Sequence, residues 1–310
     1  MSDILVSVVI PVYNCEPYIT QCLKSVCSQT LKNIEIIVLD DCSTDSTLKK
    51  IPKDPRIITI QSIQKTDSGT LRNKGINIAR GKYIAFLDGD DFFPDSDSLK
   101  KLSKLALDNN LDIVGGSLFT FNSNTGEKKY LIPGQFFLKE GYLNYKKYQH
   151  DGGFYRFIYN REYLLSRNIM FPNFKRMQDP VFFVNAMINT RNIYVIPDYV
   201  YAYRKCHKSV KWDDQQIIDK FKAIDLILKI SKRHDLSHLH FLMVKNFVNF
   251  SNQHLPELRN FKNQTKIFFN ICNEIDFDLL NRSSKNDRIK FLRLKLVGVF
   301  LKSLFFVWKE

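Results

Sequence analysis

The chain reads as an α/β protein with a doubly wound, mostly parallel sheet and a helical C-terminal extension. Three observations lead to that fold class. Short apolar runs rich in β-branched residues alternate with amphipathic stretches as far as Phe121. Two of the runs end directly in acidic clusters, Asp40-Asp41 and Asp88-Gly89-Asp90-Asp91, at the strand ends where open α/β sheets gather their ligands. From Asp213 onward the apolar spacing is that of helices.

Taken in order, Val6–Tyr13 is the first strand, and Asn14 is placed to cap a helix carrying Ile19, Leu23 and Val26 on one face. Ile34–Leu39 follows as a strand, and Ser43 or Thr44 caps a short helix through Lys50. Ile57–Ile60 is a third strand, and a helix opened by Ser68-Gly69 is stopped by Gly81. Tyr83–Leu87 is next, then a helix from Pro94 to Asn109 and a strand over Asp112–Phe121. Asn122–Gly126 is a turn opening an aromatic-rich irregular segment that extends through Tyr159. Helices are expected at Arg161–Ser166 and Asp179–Asn189, with short strands at Ile193–Ile196 and Tyr199–Tyr203. The closing helices break at His234-Asp235, Pro256 and Ser283-Ser284, and a boundary falls between 1–210 and 211–310.

The formal charge of +14 is unevenly spread. The first hundred residues carry 12 Lys/Arg against 13 Asp/Glu, leaving 34 against 19, or +15, for the rest. A near-neutral scaffold is thus followed by a region suited to an anionic surface. The six cysteines form no CxxC pair, which fits reduced thiols and a cytoplasmic setting. Met1-Ser2-Asp3 leads straight into a strand, so no leader is expected, and no uncharged apolar run reaches bilayer length. Phosphate-loop, dinucleotide-binding, HExxH and GxSxG signatures are all missing. No nucleic acid is expected as a partner.

Four clusters carry the chemistry. The oxygens of Asp88, Asp90 and Asp91 suit Mg²⁺ or Mn²⁺ beside a phosphate, with a solvated acidic turn as the equal alternative. Asp41 suits a base N–H or a ribose hydroxyl, or else a cap on the following turn, a duty Asp45 fits alone. Arg72 and Lys74 lie near a helix start that can hold phosphate, although taken alone a solvated helix face is the better reading. Asp179 precedes Pro180 and is either a general base held at a helix start or an ordinary N-cap.

Val8-Val9-Ile10-Pro11-Val12-Tyr13-Asn14, Ser25-Val26-Cys27-Ser28-Gln29-Thr30 and Asp40-Asp41-Cys42-Ser43-Thr44-Asp45 resemble the opening of a family 2 glycosyltransferase. So do Arg72-Asn73-Lys74-Gly75, Gly81 through Asp91, and Gln178-Asp179. The ordered match spans roughly the first 120 residues, weakens to about 210 and closes on a Tyr203-Arg204…Ser209 segment. The resemblance implies a glycosyltransferase A fold, a UDP-sugar donor, a Mn²⁺ or Mg²⁺ cofactor and inversion at the anomeric carbon. It implies a donor pocket holding Pro11, Tyr13, Asp41 at the base, Arg72, Asp88 at the ribose or metal, and His207. Asp90 becomes the metal ligand with Asp91 beside it, and Asp179 the catalytic base. Arg204 is a second candidate, with His207, to close over the diphosphate. Gln178 departs from the Glu of many members and puts any auxiliary role of that acid in doubt.

On this reading residues 1–210 are the nucleotide-sugar-binding catalytic domain, with an acceptor-side segment from about 122. The expected reaction moves a hexose or N-acetylhexosamine to a hydroxyl of a growing bacterial surface glycan: lipooligosaccharide, capsule or a lipid-linked oligosaccharide. The rivals are a nucleotidyltransferase acting on sugar phosphates and a non-catalytic sugar- or membrane-binding protein. In the tail, Ile289, Leu292, Leu296, Val299 and Phe300 share one helical stripe, while Arg288, Lys295 and Lys302 lie toward the other side. With Trp308 near the end, such a helix suits the headgroup layer of an anionic membrane, giving a peripheral position on the inner face of the cell membrane. Packing of the stripe on the preceding helices or on a second copy of the chain is the alternative.

Overall fold

The computed structural model describes residues 3–205, 212–254 and 262–283. His207 and the amphipathic tail beyond Ser283 therefore lie outside the described residues. The chain divides into two compact units, residues 1–148 with 152–210, and residues 149–151 with 211–310.

The first unit is built on β1 (Val6–Val12), α1 (Ile19–Cys27), β2 (Ile34–Asp40), β3 (Ile57–Gln61), α2 (Ser68–Ile78), β4 (Tyr83–Phe86), α3 (Ser98–Asp108) and β5 (Ile113–Asn122). Then come β6 (Lys128–Lys129), β7 (Gly141–Tyr142), α4 (Tyr145–Tyr148), β8 (Phe157–Asn160), α5 (Arg161–Ser166), α6 (Gln178–Ile188) and β9 (Ile193–Lys205). The sheet runs β3-β2-β1-β4-β8-β5-β9-β7, with β6 on β5. Pairs β1–β2, β1–β4, β2–β3 and β5–β9 are parallel. β1, β2 and β4 are buried along their whole length, because helices cover both faces and a continuous apolar run satisfies both.

The mostly parallel, mixed sheet with flanking helices is the fold class the sequence predicts, with one strand that the sequence does not announce. β8 inserts between β4 and β5 and runs antiparallel to both. It lies in the stretch expected to be irregular, since Phe157-Ile158-Tyr159 is too short to show a period and runs directly into the α5 signal. The two short strands expected after Arg191 are one strand, β9, which passes the exposed Pro197. Register shifts at Gly115–Leu118 absorb that passage, as bulges do where proline interrupts a ladder.

Helix starts also differ from expectation. Tyr18, not Asn14, caps α1; Asn14 instead accepts from Thr44 N through Oδ1 at 2.9 Å. The short helix expected after Thr44 is a single 3₁₀ turn at Leu48–Lys50. Asp67 caps α2, accepting from Thr70 N. Gly75 lets α2 lie directly on β1, because a Cβ there would collide with Val9 Cγ1. That contact fixes the height of Arg72, one turn earlier on the same helix.

The second unit comprises α7 (Asp214–Arg233), α8 (Ser237–His254), α9 (Lys262–Glu274) and α10 (Phe277–Ser283). Asp213 and Gln216 form a capping box at the start of α7. Ile217, Phe221, Ile224 and Leu228 of α7 are buried, as are Leu239, Val244 and Phe247 of α8. No helix among the described residues is long and apolar enough to cross a membrane.

Candidate active site

Three parallel strands deliver their ends to one edge. β1 supplies Pro11 and Tyr13, β2 leads into Asp40-Asp41, and β4 leads into Asp88 to Asp91. Together with Arg72 of α2, these residues line a cavity of about 230 Å³ that includes Pro11, Tyr13, Asp41, Asp88 and Asp90. Asp41 is buried, and its Oδ1 accepts from Thr66 N at 2.7 Å and Thr66 Oγ1 at 3.1 Å. It thereby fastens the loop before α2 to the cavity wall. From that loop Lys65 Nζ sits 3.4 Å from the centre of the Tyr13 ring.

Arg72 joins the two halves of the site. Its guanidinium is 3% exposed and reaches Asp88 Oδ1 at 2.6 Å and Asp179 Oδ1 at 2.9 Å. Burial works against that charge, but the two carboxylates more than offset it and hold the guanidinium protonated. The rings of Phe154 and Phe171 lie 4.9 and 5.4 Å from its central carbon. Residues 107 apart in sequence are thus joined by one side chain.

Asp179 is not the N-cap of α6. That position belongs to Met177, in the left-handed region at φ 67° with no side-chain cap. Asp179 sits in the first turn with 41% of its side chain open. The protein walls around it raise its carboxyl above the ordinary value, and Arg72 draws it back down. Gln178 beside it is buried and donates from Nε2 to Ser68 Oγ at 2.6 Å. Ser68 Oγ also accepts from Arg72 at 3.3 Å, so Gln178 braces the start of α2 against the start of α6.

The acidic loop after β4 is held from β9. The carboxylate oxygens of Asp88, Asp90 and Asp91 lie within 4.8 Å of one another, a hard-oxygen set that fits a divalent cation. Their duties differ. Asp91 is buried and both its oxygens are engaged: Oδ2 accepts from Tyr201 OH at 2.7 Å and Oδ1 from Arg204 N at 2.6 Å. Burial pushes its carboxyl well up, and the neighbouring Asp90 and Asp88 add to the shift. Arg204, expected near a diphosphate, is buried and spent elsewhere. Nε donates to Asp90 O at 2.5 Å, and the two terminal nitrogens reach Ser123 Oγ at 3.0 Å and Gln21 Oε1 at 2.6 Å.

Residues with little or no expected role complete the setting. Tyr201 OH accepts from Asp88 N at 3.3 Å as well as donating to Asp91. Gly153, at φ 85°, starts a 3₁₀ turn over Phe154–Arg156. Phe154 goes under Arg72, and Tyr155 goes against Tyr201. Arg156 is buried between the rings of Phe137 and Phe157 and donates to Gly116 O, Gly134 O and Tyr148 OH. Tyr201 and Tyr203 carry a visible signal, a tyrosine at every second position of a strand. The 154–156 turn carries none.

Comparison with known proteins agrees with this arrangement. The family model for glycosyl transferase family 2 matches residues 7–166. The Bacillus subtilis protein named uncharacterized glycosyltransferase EpsJ is 32% identical over 65% of this chain and 61% of its own length. An Escherichia coli protein, UDP-Glc:alpha-D-GlcNAc-diphosphoundecaprenol beta-1,3-glucosyltransferase WfaP, is 49% identical over 29% of this chain and 36% of its own. The chain therefore spans less than two thirds of the length of either relative. The structure of S. aureus TarS residues 1–349 in complex with UDP-GlcNAc superposes with a TM-score of 0.69 at 20% identity, covering 97% of this chain and 89% of that one. That likeness is one of fold, the glycosyltransferase A architecture. The chain belongs to glycosyl transferase family 2.

Proposed function

We propose that the chain transfers a hexosyl or N-acetylhexosaminyl group from a UDP-sugar to a hydroxyl of a bacterial surface glycan, with inversion at the anomeric carbon. The observation that carries this reading is Arg72, buried between Asp88 on the donor cavity and Asp179 across from it. A cavity with carboxylates at two strand ends suits a nucleoside diphosphate, Asp41 toward the base and Asp88 toward the ribose. Asp179, half-open and raised above the usual carboxylate range, suits a base that takes a proton from an acceptor hydroxyl. Arg72 favours the carboxylate form of Asp179 and orients it toward that hydroxyl. Attack from the face opposite the leaving diphosphate inverts the sugar.

Asp90, with Asp88 beside it, would hold Mn²⁺ or Mg²⁺, while Asp91 supports the loop by its bonds to β9. When bound, the ion offsets the charge gathering on the departing diphosphate. Support for a lipid-linked glycan as acceptor comes from the E. coli relative, whose name specifies a diphosphoundecaprenol-linked sugar. Peripheral attachment to the inner face of the membrane through the basic tail belongs to the same proposal. Its test is co-sedimentation with anionic liposomes of the full chain and of a chain ending at Asn286.

A screen of UDP-sugars with Mn²⁺, reading released UDP, tests the reaction. Release of UDP accompanied by a glycosylated product is expected. Release of pyrophosphate instead would assign the chain to nucleotidyl transfer, and no turnover with any donor would reduce it to a binding protein.

A further inference from the structure

We infer that Lys65 reads the base of the donor: standing beside Asp41, it donates to a carbonyl of uracil, and the pair selects uridine over cytidine nucleotides. The inference rests on the proposed UDP-sugar reaction and adds the residue that chooses among bases.

β1 and β2 finish at the nucleoside end of the cavity, and Asp41 N ties them there by donating to Val12 O at 2.9 Å. Tyr13 and Asp41 both line the cavity. Asp41 spends one carboxylate oxygen on Thr66, through its amide and its hydroxyl. No hydrogen bond among the described residues reaches the other oxygen, Oδ2. The cavity wall thus keeps an open acceptor.

The loop that carries Lys65 is fixed at both ends. Ser62 N donates to Asp40 O at 2.8 Å, Thr66 is held by Asp41, and Asp67 caps α2. The backbone of Lys65 is therefore set one residue from the Asp41 anchor, and its long side chain is left to move. That chain ends with Nζ 3.4 Å from the centre of the Tyr13 ring. No carboxylate among the described residues pairs with it. The ring face holds the ammonium at the cavity rim, ready for an acceptor that enters beside it. Arg72, the cation that lines the cavity, is already committed to Asp88 and Asp179.

The two groups are complementary in their chemistry. An ionised carboxylate only accepts, and an ammonium only donates. Uracil presents an N3–H donor next to O4, the carbonyl away from the ribose, and so matches both. Cytosine has a bare N3 and an amino donor in place of O4. It would set an acceptor against Asp41 and a donor against Lys65, and a site built to hydrogen-bond one pattern rejects the other strongly.

Calorimetry with the full chain and Mn²⁺ measures UDP and CDP binding to the wild type, Lys65→Met and Lys65→Arg. The wild type is expected to prefer UDP. Lys65→Met is expected to weaken UDP about tenfold and leave CDP unchanged, narrowing the preference by that factor, and Lys65→Arg to restore it. Lys65 is exposed, so neither change disturbs the core. Equal loss of UDP and CDP affinity in Lys65→Met would make Lys65 a phosphate contact and overturn the inference, as would unchanged UDP binding. A wild type that favours CDP would sink the uridine reading of the donor, and one that binds neither nucleotide would sink the donor cavity. In both cases the inference falls with the reading it rests on.

Discussion

The two units hide different kinds of polar group. In the first, Arg72, Arg156, Arg204, Glu35 and Asp91 are all buried, and each is met by several partners. Among the described residues of the second, Gln149, Ser231, His240 and Ser251 are buried, as is Asp219, which answers to Gln215 and Lys222 on its own helix. Burying an ion costs several kcal/mol even after relaxation. A chain pays that where charge must be aimed. Arg72, Arg204 and Asp91 of the first unit aim it at the acidic loop after β4, while Glu35 and Arg156 hold backbone in place.

The largest effect should come from Asp90→Ala, which is expected to abolish turnover, with the wild-type enzyme equally silenced by excess EDTA in a UDP-release assay. Full activity in EDTA would remove the cation from the account. Asp179→Asn comes next: turnover falls roughly a hundredfold to ten-thousandfold, while UDP affinity by calorimetry is unchanged. Because burial raises Asp179 above an ordinary aspartate, against the pull of Arg72, the acid limb of kcat/KM in the wild type should lie above the ordinary aspartate value. An acid limb at the ordinary value would deny it the role of base.

Arg204→Gln probes charge used for positioning. Each hydrogen bond from a charged donor contributes about 1.5–3 kcal/mol, and the variant removes several that hold Asp90 O, Ser123 and Gln21. A lower melting temperature is expected together with a raised requirement for Mn²⁺. Loss of stability with an unchanged Mn²⁺ requirement would make Arg204 a core residue only.

The smallest effect on catalysis, and the sharpest contrast, should come from His240. Its Nε2 accepts from Asp276 N at 3.0 Å, so the proton sits on Nδ1, 2.8 Å from Ser231 Oγ. Burial lowers its pKa from 6.5 to about 4, opposed by Asp276 and Glu274 and aided by Lys232. The unfolded chain binds the proton more readily, so this contribution is complete above pH 6.5 and is lost as the pH falls toward 4. It amounts to at most about 3 kcal/mol. Urea melts of the full chain should show that slope, and His240→Gln should flatten it without altering turnover at pH 7. A slope that persists in the variant would assign it to carboxylates instead.

The sequence discloses the acidic strand ends well because their signals are local. An apolar run followed at once by carboxylates states both the strand and the site at its end, as at Leu39-Asp40-Asp41 and Leu87-Asp88. The features it hides depend on contacts distant along the chain. β8 is defined by its two neighbours rather than by any period of its own. Arg72 reads equally well as a solvated helix face until α6 brings Asp179 to it. Arg204 is a candidate near the diphosphate only through the resemblance of its segment to the family; the fold shows its side-chain nitrogens committed to Asp90 O, Ser123 and Gln21. The cap of α6 is Met177 rather than Asp179, because Asp-Pro imitates a helix start shortly after the true one.

The reversed strand β8 has a consequence for how such a protein can change. A parallel strand meets the ligand edge with its exit, so the chain leaving it must cross back over the full depth of the sheet. β8 meets that edge with its entrance, since Ala85 pairs with Ile158 and Tyr83 with Asn160. The residues arriving there, from Asn122 to Gly153, begin and end at that same edge, and β6 on β5 and β7 on β9 hold their course. Changes between those two anchors can therefore remodel the chain before Tyr155 while β1, β2 and β4 keep the cavity of Pro11, Asp41 and Asp88 unaltered.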